Sequence, residues 1–189
     1  MPIQVISGGG GSAPVVPVGP VVGTMSRYGT LANTIIGFGS TATTNVAFPV
    51  ANTAFFYPFS IDEDATVAQI GWVNGNVVSG NIDVGIYTRA GAKVISTGST
   101  AQSGTSVIQA VNVADTALAA GDYYFAVSMD NTTGTLLGVT AIALGWMQQA
   151  GAMQEATSFP LPATWTAPDT TPDNHFMPWL AFNQRSVGW

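Results

Sequence analysis

The chain contains no cysteine, which excludes disulfide bridges and thiolate metal sites and fits assembly inside a cell. Charge is nearly as scarce. Lysine and arginine together number 4 against 10 aspartates and glutamates, and charged residues make up 7% of the 189, where about a quarter is usual. Phosphate recognition recruits several cations to one surface, so direct nucleic-acid binding is excluded as a function. No apolar run approaches the roughly 20 residues of a membrane helix, so no membrane insertion is expected. The N-terminus also lacks the basic start and apolar core of a signal peptide, and Met1 is read as the start of an unexported chain made in a cytoplasm.

What is abundant is apolar and small. Hydrophobic residues make up 47% of the chain, with 22 glycines and many alanines, serines, threonines and valines. Two readings of this composition stand: a β-rich domain with large, charge-depleted subunit interfaces, or a weakly charged monomer. The length suits one domain, or one domain and an arm, and can bury roughly 70% of the surface exposed when unfolded.

Residues 1–24 form the arm. Four consecutive glycines, Gly8 to Gly11, precede Pro14, Pro17 and Pro20, which are spaced by valines. Prolines at that spacing exclude a helix. Drawn out at polyproline rise the arm would reach roughly 70 Å. Its stiff part is apolar: Val15, Val16, Val18, Val21 and Val22 would gain from burial against a partner, and they are the candidate docking residues. A loose tail is the alternative.

Residues 25–189 read as a single all-β domain, with the first clear strand near residue 54. Residues 25–53 are rich in Ser, Thr, Asn and Gly with one apolar patch at Ile35, Ile36 and Phe38, and read as loops with one short strand at most. In Ala54 to Ile61, Phe55, Tyr57, Phe59 and Ile61 alternate with Phe56, Pro58 and Ser60, and Pro58 predicts an edge or a bulge. After the polar corner Asp62-Glu63-Asp64, Thr66 to Val73 carries Val67, Ile70 and Trp72. The strongest signal is a hairpin from Gly80 to Thr100. Ile82, Val84 and Ile86 share one face, Asn81, Asp83, Gly85 and Tyr87 the other, the pattern of a half-buried strand. Gly91 lies where the chain reverses.

Ser106 to Val113 reads as a further strand. Asp122 to Met129 follows, with Tyr123, Phe125, Val127 and Met129 on one face. Leu136 to Trp146 is taken as a strand, residues 148–174 as a long loop, and Phe176 to Phe182 as the last strand. Loops of that length usually carry contacts or function. Seven or eight strands at these spacings predict an antiparallel β-sandwich.

Little in the chain promises catalysis. His175 is the only histidine, and with no Gly-x-Ser-x-Gly elbow or neighbouring nucleophile it reads as a surface or interface residue. No spacing singles out a pair of carboxylates for glycoside hydrolysis. Asp62, Glu63 and Asp64 could offer oxygens to calcium, but adjacent residues of an extended chain point apart, so these and Asp130-Asn131 read as solvated turns. The chain is therefore read as a non-enzyme without cofactor or metal. Asn131-Thr132-Thr133 matches a glycosylation acceptor, which matters only on export. Trp72 falls within a strand period and reads as core. Trp165 and Trp179 fall in the weakly patterned C-terminal third, where they could stack on sugar rings or join a core or interface.

Four stretches carry a resemblance: Phe56-Tyr57-Pro58-Phe59, Ser79 to Tyr87, Ala120 to Ser128, and Phe159-Pro160-Leu161-Pro162. Through them residues 54–162 resemble the β-sandwich virion proteins of tailed bacteriophages, found in fibres, collars and capsid decorations. The resemblance implies a jelly-roll-like sandwich, a homo-oligomer that is often a trimer, and structural or receptor-binding work in the virion beside other virion proteins. It offers no catalytic residue, and the Pro-Val arm lies outside it. The expectation is a structural protein on the outside of the particle, docked through residues 1–24. The alternative is a module that binds host-surface glycans through Trp165 or Trp179.

Overall fold

The computed structural model describes residues 44–139, 148, 151–156, 158–166, 168–169 and 177–184. The arm with Val15, Val16, Val18, Val21 and Val22, the patch at Ile35, Ile36 and Phe38, residues 140–146 of the strand expected from Leu136 to Trp146, and His175 lie outside the described residues. The chain is all-β and its sheets are antiparallel. The first strands are β1 (Thr44–Ala47), β2 (Ala54–Ile61), β3 (Ala65–Val73), β4 (Asn81–Thr88), β5 (Lys93–Ser96) and β6 (Thr100–Ala101). They are followed by β7 (Ile108–Leu118), β8 (Gly121–Met129), β9 (Thr135–Val139), β10 (Met153–Glu155), β11 (Met177–Pro178) and β12 (Leu180–Gln184).

The twelve strands among the described residues exceed the seven or eight expected, because β1, β6 and β10 are too short to show a period and the last expected strand is divided into β11 and β12. The first strand among the described residues begins at Thr44, ahead of the expected start near residue 54. The segment read as a loop over 148–174 contains β10, held against β2 by pairing of Met153 with Phe56 and Glu155 with Ala54. Pro58 lies just past that short pairing, where no strand among the described residues is bonded to the outer side of β2, a position that suits a residue with no N–H.

A folded ribbon organises the sheets. β2 pairs with β8 from Ala54–Ser128 to Ile61–Gly121, and β3 pairs with β7 from Ala65–Leu118 to Val73–Ile108. Both strands of the ribbon change sheet at the same place, one through Asp62-Glu63-Asp64 and the other through Ala119-Ala120. Asp64 is exposed but accepts the Ala120 N–H at 2.9 Å, so this corner is bonded as well as solvated. One half of the ribbon lies in a six-stranded sheet ordered β10-β2-β8-β4-β5, with β6 also on β4; the other lies in the sheet β12-β3-β7. A third sheet is ordered β1-β9-β11.

The main core takes the alternating residues that the sequence marks. Phe55, Tyr57, Phe59 and Ile61 of β2 meet Ile82, Val84 and Ile86 of β4, and Phe125, Val127 and Met129 of β8, from one sheet. Val67, Ile70 and Trp72 of β3, with Leu180 and Phe182 of β12, close it from the other. Val67 and Ile70 differ in parity, yet both are buried, because the β3–β7 register slips between Val67 and Gln69.

A network of amides seals one end of this core. The indole of Trp72 donates to Asn74 Oδ1 at 2.8 Å, and Asn74 Nδ2 donates to the Ser103 carbonyl and to Gln109 Oε1, each at 2.8 Å. Gln102 Nε2 donates to the same Asn74 oxygen at 3.1 Å, while Gln102 Oε1 accepts the Ser79 N–H at 3.0 Å. Buried amides with their donors and acceptors met in this way hold loops to strands at little cost.

Asp130-Asn131, expected to be a solvated turn, is instead part of the framework. The Asp130 carboxylate accepts the Asn81 backbone and side-chain N–H groups, both at 2.9 Å. Asn131 Nδ2 donates to Asp130 Oδ1 at 2.6 Å and to the Ser79 carbonyl at 2.9 Å, so the amide of the Asn-Thr-Thr match serves inside the fold. Burial works to raise the Asp130 carboxyl, but the bonds from Asn131 and Asn81 outweigh it and leave the group below its ordinary value.

Candidate functional site

The second face of β4 is where the structure departs most from a half-buried strand. Ile82 to Tyr87 are all buried. The face expected to meet water carries Asp83, Gly85 and Tyr87, and it is covered by residues 158–165, from the segment read as a loop. Ala54, Phe56, Tyr87, Ala126, Met153 and Leu161 form a second hydrophobic cluster there.

Backbone bonds lay this cover on the turn of the β4–β5 hairpin. The Lys93 N–H donates to the Ala163 carbonyl at 2.8 Å, and the Trp165 N–H donates to the Gly91 carbonyl at 3.0 Å. Gly91 has φ +89, a left-handed conformation that suits glycine, and a Cβ there would overlap the Trp165 indole. Gly85 is equally constrained, since a Cβ would lie 2.8 Å from the Ile95 carbonyl oxygen and 3.2 Å from Leu161 Cδ1.

Polar bonds tie down the middle of the cover. Asp83 is fully buried, and its Oδ2 accepts the Leu161 N–H at 3.0 Å. Its oxygens also accept the Thr97 hydroxyl at 3.3 Å and, more weakly, that of Ser96 at 3.5 Å. Lys93 Nζ donates to the Leu161 carbonyl at 2.7 Å, and the Tyr87 hydroxyl donates to the Pro162 carbonyl. Burial pushes the Asp83 carboxyl above its ordinary value, and the bonds from Leu161, Ser96 and Thr97, together with the charge of Lys93, pull against that rise. Burial first, and then the charges of Asp83 and Glu155, hold the Tyr87 phenol well above its usual range.

A carboxylate, a lysine, a tyrosine and two hydroxyls therefore converge on one face, but each is bonded to the backbone or to another member of the group. A general base must reach the proton it removes; Asp83 reaches the cover that encloses it. The sequence placed Asp83 on this face without marking it out, because a carboxylate between Ile82 and Val84 looks the same whether water or a loop lies above it. The Phe159-Pro160-Leu161-Pro162 stretch is the partner, 78 residues from Asp83 at Leu161.

Trp165 and Trp179 are not brought together. Trp165 is half-buried on the six-stranded sheet, edge-on to Phe56 and Tyr124 with ring centroids at 5.3 Å, and parallel to Tyr87 at 6.2 Å. Trp179 joins β11 to β12, its N–H donating to the Leu137 carbonyl at 3.0 Å, and its indole N–H is buried with no hydrogen-bond partner among the described residues. Among the described residues no three His, Cys, Asp or Glu side chains group as metal ligands, and no helix is long and apolar enough to cross a membrane.

No protein-family model matches the chain, and the searches of curated proteins and of solved structures likewise find no significant match.

Proposed function

We propose that the chain is a structural subunit on the outside of a tailed-bacteriophage particle, a head or tail decoration or fibre component that works without a cofactor. Its jelly-roll-like sandwich forms the body, homo-oligomers form the working unit, and residues 1–24 dock it to other virion proteins. The observation behind this reading is that the buried polar side chains of Asp83, Asn74 and Gln102 are bonded to backbone and neighbouring side chains, which suits a part whose polar interior holds its own fold together. The ribbon of β2 and β3 against β8 and β7, folded between sheets, with the order β2-β8-β4-β5 in one of them, supports the jelly-roll-like wrapping.

Deletion of residues 1–24 tests the docking. All described strands start at or after Thr44, so the truncated chain is expected to stay folded and soluble. Burial of the five arm valines in a partner groove would contribute a few kcal/mol, at roughly 25 cal/mol per Å² of apolar surface. In complementation of particles that lack this protein, the truncated chain is expected not to co-sediment with them. Full incorporation rules out the arm as an anchor, and aggregation of the truncated chain assigns the valines to the sandwich's own core or to its oligomer.

The half-exposed indole of Trp165 on an aromatic floor favours a second reading, a module that stacks on host-surface glycans. Because Trp165 also covers Phe56 and Tyr87, Trp165→Ala is expected to cost about 2 kcal/mol of stability. Loss of polysaccharide binding with an unchanged melting curve would support the glycan reading over the structural one.

A further inference from the structure

Strand β7 has β3 on one side, and among the described residues no strand pairs with its other side. The Asn74 N–H donates to the Val107 carbonyl at 3.0 Å. By the alternation of an antiparallel ladder, Val107, Gln109 and Val111 then turn their backbone groups to β3, while Ile108, Ala110 and Asn112 turn theirs outward, where no strand among the described residues is bonded to them. Natural edges of this length are guarded by charge, proline or a covering loop. From Gly104 to Ala114 there is neither a charged residue nor a proline, and Ile108 and Val107 are 75% and 47% exposed.

The interior is also open on this side. Val111 and Val113 of β7 are only partly buried against the main core, and so are Val94 and Ile95 of β5, the neighbouring edge of the other sheet. From Gly104 to Asn112 this edge is uncharged, lies beside a half-covered core and has no strand bonded to it among the described residues; Asp115 and the register slip between Asn112 and Thr116 guard only its far end.

The geometry points to a second copy of this chain as the occupant, its β7 antiparallel to the first about a two-fold axis at Ala110. Ile108, Ala110 and Asn112 of one copy then exchange backbone hydrogen bonds with Asn112, Ala110 and Ile108 of the other, and Val107 lies opposite Val113 of the second copy. A neutral strand meets itself with no like charges opposed, and the pairing closes because each copy spends its edge on the other. The arm fits this edge poorly, since Pro14, Pro17 and Pro20 lack the N–H groups a ladder needs. The pairing rests on β7 alone and holds whether or not the chain belongs to a virion.

Sedimentation equilibrium of the full chain at about 1 to 100 µM, where a dimer of ordinary affinity dissociates, tests it. The wild type is expected to form dimers. Ala110→Pro removes an outward N–H without touching the β3 ladder, and Ile108→Lys sets a charge on an exposed position. Each is expected to weaken dimerisation about tenfold or more, with a cooperative melting transition retained. Amide exchange in the wild type gives a second readout: Ile108, Ala110 and Asn112 should become protected as concentration rises. A monomeric or trimeric wild type, dimers unaffected by both substitutions, or concentration-independent exchange at these amides would each overturn the proposal. Monomers produced by deleting residues 1–24, with Ala110→Pro still dimeric, would assign the assembly to the arm instead.

Discussion

Replacing Ile86 with aspartate is expected to unfold the protein. Ile86 is fully buried on the core face of β4, opposite Ile95 of β5 and Phe125 of β8. β4 runs inside the six-stranded sheet, so the new carboxylate cannot swing out past an edge to reach water. Its desolvation, added to the lost packing of the isoleucine, costs about 5 kcal/mol or more. A domain of this kind holds a total of about 5 to 15 kcal/mol. The expected result is an insoluble chain, or one without a cooperative melting transition by circular dichroism. Ile86→Val, which keeps the face apolar, is expected to cost about 1 kcal/mol. A soluble Ile86→Asp protein with the wild-type transition would show that Ile86 does not face the interior.

Cutting the tie between β4 and its cover is the next largest effect. Asp83→Ala leaves the Leu161 N–H, the Thr97 hydroxyl and the Ser96 hydroxyl without their buried acceptor, and it leaves Lys93 without the nearby negative charge. The expected loss is about 3 kcal/mol, together with faster proteolysis within residues 158–165 as the cover lifts. Asp83→Asn keeps an oxygen for the Leu161 N–H and removes a charge that burial disfavours, so its expected loss is about 1 kcal/mol or less. Equal destabilisation by the two substitutions would mean that the negative charge, and not the acceptor, holds the cover.

The pH dependence separates this carboxylate from Asp130. Asp83 is raised in the folded state, so the folded chain binds its proton first. Its contribution to stability therefore improves as pH falls from above its folded value toward the ordinary aspartate value of about 3.9. Asp130 is lowered, so its contribution is complete above about 3.9 and is lost as pH falls through its folded value. Denaturation titrations are expected to show Asp83→Asn removing the first trend and Asp130→Asn the second. The same acid profile in both variants would contradict these assignments.

Particular residues show how far the sequence could be read. The parity of Phe55, Tyr57, Phe59 and Ile61, of Ile82, Val84 and Ile86, and of Phe125, Val127 and Met129 identified the interior faces correctly. Successive side chains of a strand point opposite ways, so a single apolar face shows directly in the residue order. Gly91 was legible for the same local reason, since a chain that reverses there needs a left-handed residue. The slip in β3 was not legible, because Val67 and Ile70 share a face only through the register with β7.

The sequence by itself determined an all-β chain, most of its longer strands, the core faces of β2, β4 and β8 and the poverty of charge. Only the tertiary structure decided that β4 is covered on both sides, that Asp83 holds Leu161 and that Asp130 holds Asn81. It also decided that β7 ends its sheet among the described residues, with one side of its backbone turned away from β3. Alternation along a strand separates two faces but says nothing of what lies over either one. That is settled by segments far away in the chain, whose approach depends on sheet order and on the paired corners at Asp62-Glu63-Asp64 and Ala119-Ala120.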